Sequence, residues 1–164
     1  VSAELAGGDG RVLEHAVVQY VVCSFDDIPN RRAKAFQLLK RAQDGGATTF
    51  FFFVVRWGRH VFGYINRCPH TGVNLDWERN QFLDPSGLRL MCGKHGALFD
   101  IGTGHCIDGP CKGNSLEPVS ITVIDGEVCV SGVELIEDDA GAAGLFNVTP
   151  RHATAETRRP THRP

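Results

Sequence analysis

The chain has 164 residues, with 17 Lys+Arg against 19 Asp+Glu and a formal charge of −2. That length suffices for one domain with its own core, and the near-even balance argues against a non-specific nucleic-acid binder, which carries a basic surplus. The longest apolar run, Phe50–Val55, has six residues, whereas a membrane-spanning helix needs about 20, so no membrane partner is expected.

No stretch near the start has the order of a signal peptide, which makes a soluble, cytoplasmic protein the expectation. Nineteen Gly and eight Pro imply many turns and short elements, favouring an all-β domain over a helical bundle. The six Cys, at 23, 68, 92, 106, 111 and 129, are too dispersed for a small disulfide scaffold. In the cytoplasm they are reduced, and Cys clustered with His reads as a metal site.

Residues 1–15 read as a flexible N-terminal segment. Ala16–Cys23 has the β-branched, apolar composition of a buried strand, and Asp26–Pro29 is a turn. Arg31–Arg41 is composed like a basic helix, but its apolar positions Ala35, Phe36, Leu38 and Leu39 fit that period only in part. Helix and strand both stay open there. Thr48–Arg56, Gly58-Arg59 and His60–Asn66 read as strand, tight turn and returning strand. The all-aromatic Phe50–Phe53 suits a strand buried on both faces.

From Arg67 to Pro118 the chain is Gly- and Pro-rich, with short strand-like pieces at Leu88–Cys92 and Ala97–Ile101. Asp84-Pro85-Ser86-Gly87 is a type I turn signal, and Gly102-Thr103-Gly104 a further reversal. Val119–Ile124 and Glu127–Ser131 form a hairpin around Asp125-Gly126. Residues 137–164 read as a disordered or partner-contacting tail. The last 14 residues hold four Arg against one Glu, net +3, which leaves −5 for residues 1–150.

Two segments stand out: Cys68-Pro69-His70-Thr71-Gly72 and Cys92-Gly93-Lys94-His95-Gly96, a C-x-H and a C-x-x-H separated by 21 residues. Each supplies one thiolate and one imidazole. Two sulfurs and two nitrogens suit either tetrahedral zinc or a [2Fe–2S] cluster in which two His replace two Cys. Zinc spacings usually pair like with like, whereas here each segment is mixed, which suits two irons with different ligands.

These two segments, with Phe99-Asp100 and Asp108-Gly109-Pro110 beyond them, resemble the ligand loops and flanking pattern of Rieske [2Fe–2S] proteins over about residues 16–132. The resemblance implies an all-β, Rieske-type fold of three stacked antiparallel sheets: a domain over 16–136 with a small cluster-binding subdomain at about 67–114. It implies one [2Fe–2S] cluster, with Cys68 and Cys92 on one iron, His70 and His95 on the other, and Pro110 in a loop covering it. Respiratory members carry an extra Cys in each loop, joined as a disulfide; Val73 and Lys94 stand there. They also carry Ser and Tyr donors to the cluster sulfurs, where Ala97 and Phe99 stand. Fewer donors to the reduced cluster imply a potential near the low end of the Rieske range, roughly −150 mV rather than +300 mV. The 21-residue spacer is longer than usual for the low-potential type, with Trp77, Glu78 and Phe82 in the excess.

Two ferric ions, two sulfides and two thiolates sum to zero charge, and to −1 once reduced. Four thiolates would give −2 and −3, so neutral His eases reduction. The remaining histidines, at 15, 60, 105, 152 and 162, offer no close pair for the mononuclear iron of an oxygenase catalytic site. The expected function is therefore one-electron transfer without a substrate site: a ferredoxin carrying electrons from a reductase to a terminal oxygenase. The alternatives are a non-catalytic subunit of a larger oxidoreductase, such as a nitrite reductase or oxygenase complex, and a zinc-stabilised interaction module. His70 and His95, framed by Thr71, Lys94, Gly96 and Pro110, form the expected docking tip. Cys106 and Cys111 read as reduced structural thiols, Cys23 and Cys129 as core residues, and His60 and His105 as surface or strand histidines.

Overall fold

Short apolar runs alternating with Gly- and Pro-bearing turns produce an almost wholly β architecture in the computed structural model, which describes residues 18–136 and 149–151. The strands are β1 (Gln19–Ser24), β2 (Arg32–Arg41), β3 (Ala47–Trp57), β4 (His60–Ile65), β5 (Leu90–Met91), β6 (Leu98–Phe99), β7 (Cys106–Asp108), β8 (Pro118–Ile124), β9 (Glu127–Ser131) and β10 (Thr149–Arg151). All pair antiparallel. Among the described residues no helix is long and apolar enough to cross a membrane.

Three antiparallel groups are present, as expected, and two of them are continuous. The meander β2–β3–β4 joins the β1–β8–β9–β10 group where Gly63 and Tyr64 pair with Val119 and Pro118, making one curled seven-stranded sheet. The small sheet β5–β6–β7 stands apart. The sheet also curls back on itself: Arg41 donates to the Glu134 carbonyl at 2.8 Å, and Ile136 donates to Leu39 at 2.9 Å.

Alternation along the central strands explains the phenylalanine run. Phe50, Phe52 and Val54 of β3 face one core with Phe36 and Leu38 of β2 and with Val128 and Val130 of β9. Phe53 and Val55 face a second core with Ala33, Tyr64 and the residues of the 67–116 region. The strand is thus buried on both faces, except that Phe51 stays 37% exposed.

The same two-sided burial decides the segment that the sequence left open. Arg32–Arg41 is a strand in register with β3 from Arg32↔Arg56 to Arg41↔Ala47. A helix would have gathered its apolar residues on one side. The strand instead sends Ala33 to one core and Phe36 and Leu38 to the other.

The terminal segments 1–15 and 137–164 lie mostly outside the described residues. Within the second, Thr149–Arg151 pairs with β1 as an edge strand of the chain's own sheet. A run of only three residues carries no period, and its pairing depends on a partner strand over a hundred positions earlier.

The long spacer is packed onto this platform. Phe82 is 1% exposed and stacks on Phe53 with centroids 4.1 Å apart and planes at 15°. Asn80, at φ +68°, accepts a 2.7 Å hydrogen bond from the Ala35 backbone on β2. Replacing a fully buried aromatic by Ala costs about 3–5 kcal/mol. Phe82→Ala is therefore expected to lower the unfolding free energy by that amount, seen in equilibrium unfolding as a lower denaturant midpoint with an unchanged slope.

Candidate metal centre

The two Cys/His segments fold into matching loops. In the first, the Cys68 N–H donates to Val73 at 2.7 Å and the Gly72 N–H returns to the Cys68 carbonyl at 2.8 Å. In the second, Cys92 donates to Ala97 at 2.9 Å and Gly96 returns to Cys92 at 2.9 Å. Both closing glycines have positive φ, +74° at Gly72 and +68° at Gly96. An added Cβ would meet nothing within 4 Å at either, so it is the left-handed backbone that calls for Gly there.

A bond between the loops sets their relation: the Gly93 N–H donates to Leu75 at 2.8 Å. Leu75 is in turn held by the buried Asn66, which accepts the Leu75 N–H at 2.8 Å and donates to Asp76 at 2.8 Å. Trp77 lies directly on Gly93. Neither Asn66 nor Trp77 was singled out for this role by sequence reasoning. Asn66, a polar residue at the end of an apolar strand and two positions before Cys68, was the available signal.

This geometry separates the donors by chemistry. Cys68 and Cys92 are 1% and 0% exposed, and each thiol lies near enough to the other to influence its ionisation. Burial pushes the Cys92 thiol up, and its Cys68 neighbour adds to that, while the backbone N–H groups of Lys94 and His95 pull the other way. His70 and His95 are exposed, their rings edge-to-face with centroids 5.1 Å apart. The four sequence-predicted donors are thus brought together as two pairs, the sulfurs buried and the imidazoles exposed.

Around them, Thr71, Lys94, Gly96 and Pro110 are exposed, as expected of a tip. Val73 packs against the inner core, and Ala97 and Phe99 are both 0% exposed and carry no hydroxyl. The other candidates fall elsewhere. His60 stacks beside Phe62 at 6.4 Å, His105 pairs with the Ser115 hydroxyl at 3.3 Å, and Cys23 and Cys129 are buried in β1 and β9. His15, His152 and His162 lie outside the described residues.

A third loop, Cys106–Cys111, lies over the second. Gly109, at φ +100°, sits so close that an added Cβ would meet the Ala97 Cα at 2.8 Å. Burial pushes the Cys111 thiol up to about 12, its bond to Cys106 contributing. The reversal leading into this loop is held by Asp100, whose carboxylate accepts from the Thr103 N–H at 2.9 Å, the Thr103 hydroxyl at 2.9 Å and the Gly102 N–H at 3.0 Å. The Thr103 backbone bond is the main reason the Asp100 carboxyl lies below its ordinary value.

The chain is a β-domain that sets two matching Cys/His loops side by side. The chain belongs to the family of the Rieske [2Fe-2S] domain, which it matches over residues 18–131. Family membership brings one [2Fe–2S] cluster. Among solved structures the chain is similar to the ferredoxin of carbazole 1,9a-dioxygenase from Nocardioides aromaticivorans IC177. The identity is 24%, the TM-score 0.51, and the match covers 67% of this chain and 93% of that one. A chain in the complex of reduced oxygenase and oxidized ferredoxin of carbazole 1,9a-dioxygenase matches with 23% identity and TM-score 0.53, covering 73% and 97%. The terminal oxygenase of carbazole 1,9a-dioxygenase from Novosphingobium sp. KA1 matches with 19% identity and TM-score 0.53 over 68% of this chain but 29% of its own. These likenesses establish a shared fold. No curated protein matches the chain.

The chemistry of the donor set, two thiols and two imidazoles, is the one a Rieske cluster takes. The donors come two and two, sulfur with sulfur and imidazole with imidazole. A tetrahedral zinc takes four donors at one point, whereas a binuclear cluster with His on one iron takes them in two pairs.

Two outcomes follow for the loops. Gly109→Ala, strained at positive φ and in collision with the Ala97 backbone, is expected to lower the melting temperature and lift the third loop, speeding Cys92 alkylation in cluster-free protein. Asp100, with its pKa depressed in the folded state, contributes stability that is present above the ordinary Asp value of about 3.9 and is lost as pH falls through the folded value. Asp100→Asn is expected to flatten the acid limb of a stability-versus-pH curve.

Proposed function

We propose that the chain is a one-electron carrier, a Rieske-type ferredoxin, in which Cys68 and Cys92 hold one iron through thiolates and His70 and His95 hold the other through imidazoles. The observation that carries this reading is the pair of matching loops that bury two sulfurs together and expose two imidazoles together. When bound, the cluster supplies a one-electron couple whose charge passes from zero to −1. The chain's own residues do the rest. Burial keeps water from the sulfur pair, the Lys94 and His95 N–H groups point toward Cys92, and the exposed imidazoles leave a short route for an electron to a docked protein.

A flavin reductase as donor and a terminal oxygenase as acceptor complete the proposal. It is supported by the likeness to a ferredoxin of a dioxygenase and to a chain of an oxygenase–ferredoxin complex. All six cysteines are free thiols, which suits a cytoplasmic setting. A second reading, a Rieske subunit held permanently within a larger oxidoreductase, draws on the occurrence of the same fold inside a terminal oxygenase chain. Size-exclusion chromatography of native material separates the two: a free carrier elutes alone, a subunit with its complex.

The ligand assignment is tested by electron paramagnetic resonance after dithionite reduction. The wild type is expected to give a rhombic signal of low average g, and Cys92→Ser to lose both it and the red-brown colour; a colourless, zinc-only protein would overturn the assignment. Ala97→Ser restores a hydroxyl beside the second loop. It is expected to raise the potential by about 40 mV, the one-electron equivalent of a hydrogen bond worth roughly 1 kcal/mol, as read by redox titration. Lys94→Glu is expected to change the rate of electron exchange with a partner far more than the potential. Unchanged stopped-flow rates would remove Lys94 from the docking surface.

A further inference from the structure

The third loop carries two thiols that the electron-carrier reading does not use. Cys106 and Cys111 are 0% and 1% exposed, five positions apart, and their sulfurs lie 2.9 Å from each other. A disulfide bond is about 2.05 Å long, so less than an ångström of approach separates this contact from a bond. The loop backbone already makes the required reversal. Gly109 turns it at φ +100°, Lys112 donates back to Gly109 at 3.2 Å, and Asn114 donates to Cys111 at 2.9 Å while Cys106 donates to Asn114 at 2.8 Å. Those bonds hold both ends of the loop, and its middle rests on Ala97 of the second loop.

We propose that Cys106 and Cys111 are a redox-closable dithiol whose disulfide locks the Pro110 loop down on the Cys92–Gly96 loop. The inter-loop disulfide positions hold Val73 and Lys94, so the ligand loops themselves have no covalent tie, and this pair supplies one in the loop that covers them. The oxidant is a low-molecular-weight disulfide. One protein thiolate attacks its sulfur to form a mixed disulfide, and the second displaces the remaining thiol. Two S–H bonds are lost and one S–S bond forms. The two electrons cleave the oxidant's S–S bond, and the two protons leave with its two thiols. Because both sulfurs are buried, closure waits on opening of the exposed 112–115 turn and registers sustained rather than transient oxidation.

The test uses cluster-loaded protein incubated anaerobically with oxidised or reduced glutathione, its visible absorbance followed throughout. Each sample is then denatured in iodoacetamide and digested with trypsin. Peptide 95–112 contains Cys106 and Cys111 and neither proposed sulfur ligand. After oxidised glutathione it is expected to carry no alkyl group and two hydrogens fewer than its thiol form; after reduced glutathione, two alkyl groups. In Cys111→Ala, Cys106 is expected to stay open to alkylation after a short reducing step. The oxidised protein is also expected to lose its colour to an iron chelator several-fold more slowly than the reduced one. A doubly alkylated peptide after oxidation, a stable glutathione adduct, or a cross-link from either residue to Cys68 would overturn the pairing; equal bleaching rates would overturn the locking. Absence of colour from the start would instead strike at the ligand assignment, and the peptide result stands apart from it.

Discussion

Two cysteine sulfurs are buried together and two imidazoles are exposed together, and the rest of the structure is arranged around that division. Each loop achieves both within five residues: the Cys carbonyl takes the N–H of the closing Gly, so Cys stays at the inner end while His, two or three positions on, is carried to the tip. Repeating the same turn twice and tying the copies through Gly93 and Leu75 sets sulfur beside sulfur and ring beside ring.

A tip of this kind has little secondary structure of its own, so its rigidity has to come from what it stands on. The meander β2–β3–β4 provides that platform because its strands are apolar on both faces. One face closes a core against β1 and β9, and the other packs directly under the loops, with Phe53 and Val55 in the same cluster as Cys68 and Cys92. The long spacer between the loops belongs to the platform as well. Phe82 and Leu75 enter that core, and Asn80 binds the edge of β2. What reads as excess sequence is a brace that holds the second loop against the sheet.

The hairpins were legible because their turns carry local chemistry. Asp125-Gly126 at φ +52° and +79°, and Asp84–Gly87 closed by a 2.8 Å bond, behave as their residue types require. Arg31–Arg41 was not legible, since Ala, Lys, Gln and Leu suit a helix and only the pairing with β3 overrides that preference. The merging of two sheets through Gly63 and Tyr64 was equally hidden, because it depends on strands more than fifty positions apart.

The candidate centre divides in the same way. Residue types and spacing marked the candidate donors, two Cys and two His in two short mixed segments, because ligand chemistry is written in side chains a few positions apart. The resemblance to Rieske proteins supplied their expected roles and the expected loss of hydroxyls at Ala97 and Phe99. Only the tertiary structure decided that the sulfurs are inside and the rings outside, that Asn66 and Trp77 brace the loops, and that Cys106 meets Cys111. Those outcomes depend on which surfaces meet when the chain closes on itself, and no local pattern encodes a meeting between segments that burial alone brings together.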